Sequence, residues 1–375
     1  MGEDAAPGAN HRINNYEKYF NKSARRRKPT ILRGFQKYLG TDMLYMAGGH
    51  PNTETFPITT AQLRLRDGRT LDIDEDEMKV ALQYGDSRGS LKMREWLTEL
   101  QRRFHDPPTL PPLGVSPSAN SDMITILTNG CTEALSKIIG LVLEEGDSLL
   151  VEESTYSTVM NVIEPLGCKP VTVKNDADGL IPSDLSNILI SWNEAVSGPR
   201  PKLLYCVPVG GNPTGANLTL KRKKEVYALA RKYDLLIIED DPYYMLQFTR
   251  TIVWKVLQNM GHDGFIEHGC RVANFYHKRS QHASRIAEAY LKGLAEWSDP
   301  VAGMFLWMKL LGVEDSRPIC QKLIQKGAVV VQGHIFCPAS VNSPYIRVSY
   351  SYASEEDLAK AFSWLADILK EQSKQ

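Results

Sequence analysis

Residues 203–244 read LLYCVPVGGNPTGANLTLKRKKEVYALARKYDLLIIEDDPYY. Two short apolar runs, Leu203 to Val207 and Leu235 to Glu239, frame a highly charged segment from Thr219 to Tyr233 that predicts a helix. Strand, helix, strand in this order, with strands apolar throughout rather than alternating, predicts a parallel sheet covered on both faces. Sheets of this kind bind ligands at the carboxyl ends of their strands. Those ends carry Gly211-Asn212-Pro213-Thr214-Gly215 after the first run and Asp240-Asp241-Pro242-Tyr243 after the second.

The alternation extends upstream. Met123 to Thr128 is β-branched and bounded by Ser121-Asp122 and Asn129-Gly130, which predicts a strand. Thr132 to Leu143 returns to a period near 3.6, Ser148 to Glu152 predicts a strand, Thr155 to Pro165 a helix and Pro170 to Val173 another strand. Leu91 to Leu97 has helical spacing after the turn at Gly85 to Gly89. Beyond residue 300 the pattern changes: Gly303 to Met308, Ala328 to Val331 and Tyr345 to Tyr350 predict strands, closed by a helix from Glu355 to Lys370. The expected organisation is a basic N-terminal arm or lid over 1–45, a large α/β domain over 46–260 and a small α+β domain over 261–375.

At 375 residues the chain has room for one large and one small domain. Lys plus Arg and Asp plus Glu both number 44, and this neutrality argues against nucleic acid as partner. No apolar run has the length of a membrane span, and no apolar stretch follows Met1 to Ala9 as a secretory signal requires. Residues 12 to 37 are basic, with Glu17 the one acid, which reads as a solvated arm or as an organelle presequence. The six cysteines form no CxxC pair and several sit in apolar runs, the pattern of buried reduced thiols inside a cell. The histidines form no metal-ligand cluster, so no metal is expected. The cytoplasm is the expected compartment, with the mitochondrion as the alternative.

Three loops carry candidate chemistry. Asn129-Gly130-Cys131-Thr132 opens a helix, where free N–H groups and the dipole suit a phosphate, although an ordinary cap reads the same way. Asn212 offers two donors and an acceptor beside the strand ends. Asp240, ending an apolar strand, needs a cation or strong donor, and a protonated pyridine nitrogen would serve. Tyr156 follows another strand end and could stack on a flat ring.

Taken with Ala47 to Asn52, Leu82-Gln83-Tyr84, Pro208 to Gly215, Ala230 to Asp234 and Ser343 to Arg347, these motifs resemble the class I/II aminotransferases of the type I pyridoxal phosphate fold, and within them the kynurenine/2-aminoadipate group. The resemblance implies a homodimer that uses pyridoxal 5'-phosphate to move an amino group from an α-amino acid (kynurenine, 2-aminoadipate, aromatic or branched) to a 2-oxo acid. It implies that Cys131 and Thr132 hold the cofactor phosphate, that Tyr84 reaches the phosphate of the partner subunit, and that Tyr156 stacks on the ring. Asn212 and Tyr243 would bond the ring 3-oxygen and Asp240 the ring nitrogen. Arg347 would clamp the substrate carboxylate, Gly49 would line the substrate pocket, and Arg33 would belong to the lid.

The family's Schiff-base lysine stands in a Ser-x-Ser-Lys segment after the Asp-bearing strand, and no such segment occurs here. Gln247-Phe248-Thr249 runs directly into Arg250 to Lys255, which resembles the family only further along. The resemblance implies that an internal segment is missing, with two sheet strands and a helix, leaving the large-domain sheet incomplete. Neither Lys255, in the junction, nor Lys278, in an amphipathic helix, reads as a replacement. The alternatives are an inactive isoform or pseudoenzyme of the family, or a β-elimination lyase on the same fold. A pyridoxal-fold transcription regulator would need an N-terminal winged helix.

Overall fold

The computed structural model describes residues 13, 15–28, 51–65, 68–110, 123–244, 254–337, 342–351 and 353–372. The chain forms two compact units, Met1–Gly130 and Cys131–Gln375. In the first, the antiparallel pair β1 (Ala61–Arg64) and β2 (Thr70–Ile73) precedes α1 (Glu75–Ala81) and α2 (Leu91–His105). Helix α1 starts where the Asp74 side chain accepts from the Glu77 N–H, and Glu75, Asp76 and Glu77 place negative charge at the positive end of its dipole.

The expected strand over Met123 to Thr128 is a correction: the segment joins no ladder among the described residues. Its backbone instead bonds to loops, from Met123 N–H to the Thr109 carbonyl and from Leu127 N–H to that of Arg88, both at 2.9 Å. A β-branched run becomes a strand only beside another backbone in register. Without one, Ile124 and Ile126 remain 43% and 58% exposed.

The second unit begins with α3 (Cys131–Val142) and continues through β3 (Ser148–Glu152), α4 (Thr158–Ile163), β4 (Lys169–Val173) and the two-residue pair β5 (Asn175–Asp176) and β6 (Gly179–Leu180). Then come α5 (Pro182–Ile190), β7 (Leu203–Cys206), α6 (Leu220–Tyr233) and β8 (Leu236–Glu239). Strands β4-β3-β7-β8 form a parallel sheet in that order. Leu150 and Leu204 from its middle pack with Leu185, Leu189, Val226 and Ala230 of α5 and α6. Helix α6 is capped by the Thr219 hydroxyl and ends at Asp234, whose φ of 58° is left-handed. Leu235 therefore closes the helix, its N–H bonding the Ala230 carbonyl, and the strand starts one residue later than the apolar run. The outer edge of β8 has no ladder partner among the described residues.

Helix α7 (Trp254–Leu291) leads into an antiparallel sheet, order β11-β12-β10-β9, made from β9 (Ala295–Trp297), β10 (Phe305–Leu310), β11 (Val331–Gln332) and β12 (Tyr345–Ser349). Helices α8 (Arg317–Lys326) and α9 (Glu355–Gln372) complete this layer. Leu306, Met308, Ile346 and Phe362 form part of its core. Two strands start later than the apolar runs suggest. Gly303, at φ 79°, turns the chain before β10, and Gly327, at φ 103°, caps α8 and leaves Val329 80% exposed before β11.

Candidate active site

The carboxyl ends of β3, β7 and β8 and the start of α3 surround a cavity of about 140 Å³. Its walls bring together Cys131, Thr132, Tyr156, Asn212, Asp240 and Tyr243, six of the residues singled out in the sequence. Cys131 and Thr132 open α3, with the left-handed Gly130 (φ 104°) before them. Burial raises the Cys131 thiol pKa, and the charge of Asp240 adds to that.

The loop after β7 folds tightly because Gly210 sits at φ 58°, where a Cβ would come within 3.2 Å of Tyr243 and 3.3 Å of the Gly303 nitrogen. Asn212 is thereby buried at 7% exposure, and its amide nitrogen donates to the Tyr243 hydroxyl at 3.1 Å. Its side-chain oxygen accepts from Arg347 Nη1 at 2.8 Å. Arg347 comes from the middle of β12, opposite Trp307 of β10. Its guanidinium stands between the rings of Phe305 and Phe336, 4.1 and 4.8 Å from their centroids. Arg347 Nε is buried with no hydrogen-bond partner. A buried donor in that state costs stability until an acceptor reaches it.

Asp240 follows β8, and its N–H bonds the Cys206 carbonyl at 3.0 Å. Burial raises its pKa, opposed by a hydrogen bond from the Tyr205 hydroxyl to Oδ2 at 2.8 Å. Asp241 is pushed up to about 6, chiefly by burial. Glu152, at the end of β3, is pushed up to about 7 by burial, although its Oε2 accepts from the Val207 N–H at 3.1 Å. Tyr205 and Glu152 escaped sequence reading because each stands in an otherwise apolar strand, where only the register shows a polar partner.

The other named residues lie elsewhere. Tyr84 belongs to the first unit and is 74% exposed. Gly49, Arg33 and the junction at 245–253 fall outside the described residues, as does the Lys255 side chain. Lys278 is exposed on α7. No lysine occurs among the described residues lining the cavity. A larger cavity of about 720 Å³ has Glu153, Asp176, Glu296 and Asp299 in its wall against Lys309, a poor match for phosphate or carboxylate. Among the described residues no cluster of His, Cys, Asp and Glu is placed to hold a metal, and no helix is long and apolar enough to cross a membrane.

Residues 52–270, more than half of the chain, match the family profile of aminotransferase class I and II. Kynurenine/alpha-aminoadipate aminotransferase, mitochondrial, of Bos taurus is 34% identical over 426 positions, taking in 95% of this chain and 99% of the relative. The Mus musculus protein of the same name is 32% identical over the same shares. The aligned length exceeds the 375 residues of this chain, so these relatives contain positions with no counterpart here. The crystal structure of aminotransferase Aro8 from Candida albicans superposes with a TM-score of 0.82 at 20% identity, covering 96% of this chain and 99% of that one. Pyrococcus horikoshii kynurenine aminotransferase, solved in complex with PMP, has a TM-score of 0.69 at 23% identity, over 96% and 98%. At such identities the likeness shows the fold, a type I aminotransferase fold with a parallel sheet.

Proposed function

Because this chain belongs to the class I and II aminotransferases, we propose that its cavity holds pyridoxal 5'-phosphate and serves transfer of an amino group from a kynurenine-, 2-aminoadipate- or aromatic-type α-amino acid to a 2-oxo acid. The observation that carries the reading is the convergence of Asp240, Asn212 and Tyr243 on one cavity, with Arg347 bonded to Asn212 and holding a buried, unused donor. The donor set suits the cofactor's ring and phosphate. The part with no residue among the described lining is the lysine for its covalent attachment.

When bound, pyridoxal phosphate supplies a conjugated cationic ring that accepts the electron pair left as the substrate Cα loses its proton. On this reading Asp240 pairs with the ring nitrogen and keeps it protonated. Cys131, Thr132 and the α3 N-terminus hold the phosphate through N–H and hydroxyl donors. Tyr156 stacks on the ring face, and Asn212 with Tyr243 orients the ring 3-oxygen. Arg347, already fixed by Asn212, clamps the α-carboxylate as a two-pronged donor that lysine cannot copy. Gly49 lines the substrate pocket.

We also propose a homodimer, supported by the 74% exposure of Tyr84, which would then reach the phosphate of the partner subunit. The mitochondrial names of the relatives, with the basic stretch over 12–37, favour the mitochondrion over the cytoplasm.

The test is incubation of the purified chain with pyridoxal phosphate, kynurenine or 2-aminoadipate as amino donor, and a second 2-oxo acid as acceptor, assayed for the donor's own 2-oxo acid. Retained cofactor and appearance of that 2-oxo acid support the full reading, and borohydride trapping with peptide mapping identifies any lysine attached. Retention without product confines the chain to binding. A chain that retains no cofactor overturns the reading.

A further inference from the structure

Asp240 has two carboxylate oxygens in unequal surroundings. Oδ2 accepts from the Tyr205 hydroxyl at 2.8 Å. Oδ1 accepts no hydrogen bond from any described residue, and the carboxylate lines the cavity. The strands produce this pairing directly. Tyr205 of β7 lies in register with Ile238 of β8, and strand alternation puts Asp240, two residues on, on the same face as Ile238. A tyrosine is long enough to span that diagonal to its neighbour strand. Tyr205 is fully buried, and no other described acceptor takes its hydroxyl. Burial, and then the charge of Asp240, drive its pKa far up, so the phenol stays a donor at every working pH. Glu152 and Cys206, the other titratable groups bearing on Tyr205, push the same way.

We propose that Tyr205 is the positioning residue for Asp240: it ties down Oδ2, fixes the carboxylate plane and presents Oδ1 to the cavity. The inference rests on the reading that the cavity takes pyridoxal phosphate, and extends it to a residue outside the cavity wall. Tyr205 acts only through Asp240. A hydroxyl that merely filled space would leave the carboxylate's behaviour unchanged.

The experiment uses the full chain carrying Tyr205→Phe, which keeps the ring and its packing, with thermal unfolding to confirm that it folds. Pyridoxal phosphate is titrated into wild type, Tyr205→Phe, Asp240→Asn and the double variant, followed by visible absorbance. The expected result is about a tenfold weaker affinity for Tyr205→Phe beside wild type and no further loss beside Asp240→Asn. An equal loss in both backgrounds, or none in either, overturns the proposal. In parallel, carboxyl-carbon NMR of the cofactor-free chain follows the Asp240 titration, whose midpoint rises in Tyr205→Phe because a bond favouring the ionised form is gone. If wild type takes up no pyridoxal phosphate, the functional reading fails by itself. The Asp240 midpoint then decides Tyr205 alone, and an unchanged midpoint overturns its role.

Discussion

In the antiparallel sheet of the C-terminal layer, β10 and β12 alternate as a half-covered sheet should. Leu306, Met308 and Ile346 are fully buried, while Phe305, Trp307 and Arg347 on the opposite face stay partly open. In the parallel sheet, β3 and β7 are buried along their whole length, as strands covered on two faces must be. Strand β8 breaks that rule. It is written Leu236-Ile237-Ile238, as apolar as its neighbours, yet its side chains are only half-buried and Glu239 is exposed. One region matches its hydrophobic pattern to its cover; the other carries an apolar strand at an edge. The mismatch falls a few residues before Phe248, after which the resemblance to the family implies a missing segment.

The sharpest way to confirm that the C-terminal layer is complete is to hollow it. Phe362 is 1% exposed in that core, and Phe362→Ala removes a buried ring and leaves a void. The expected loss is about 3–5 kcal/mol by denaturant unfolding. A loss below about 1 kcal/mol would mean that this layer is as loosely covered as β8.

The next effect is electrostatic and belongs to the well-buried part of the parallel sheet. Glu152 has its folded pKa raised from 4.5 to about 7, so the native state binds its proton more tightly than the unfolded chain does. Its contribution therefore favours folding at low pH and is lost as pH climbs through that window, about 3 kcal/mol in all. Glu152→Gln keeps an acceptor for the Val207 N–H without the charge. Thermal unfolding at pH 5 and pH 8 should show the variant gaining stability over wild type at pH 8 and little at pH 5. The opposite sign would mean that water or a cation reaches Glu152.

Third comes the open face of the complete layer. Arg347→Lys keeps a charge but loses the fork that bonds Asn212 and leaves Nε for an anion. Affinity for an amino acid or a carboxylate analogue should fall about 30-fold, near 2 kcal/mol, with the unfolding midpoint little changed. Equal loss of stability and affinity would make the arginine a structural member of the β12 layer.

The same contrast explains what could be read in advance. Ser148 to Glu152 and the Leu203 run were legible as strands because continuous apolar patterning and actual burial agree there. Asn212, Asp240, Tyr243 and Tyr156 were legible because chain order puts them after strand ends, and the fold gathers strand ends, where Cys131 joins them from the start of α3. Met123 to Thr128 was misread because pattern shows a segment's wish to pair but not whether a partner exists. Tyr205 was invisible for a related reason: its partner lies 35 residues away and is set by register.

The smallest effect tests β8 itself. Ile238 is half-buried and lies outside the core cluster that holds Leu204 and, at its margin, Ile237. If the edge stands open in solution, Ile238→Ala removes methyl groups that already touch water on one side. The cost should then be about 1 kcal/mol or less, against about 2–5 kcal/mol for Leu204→Ala one strand inward. Amide exchange should follow the same gradient, with β8 less protected than β3 and β7, because its outer backbone groups lack a ladder partner among the described residues. A cost at Ile238 equal to that at Leu204, together with equal protection, would break the comparison. It would mean that another strand covers this edge in solution, and that the apolar pattern of β8 is satisfied after all.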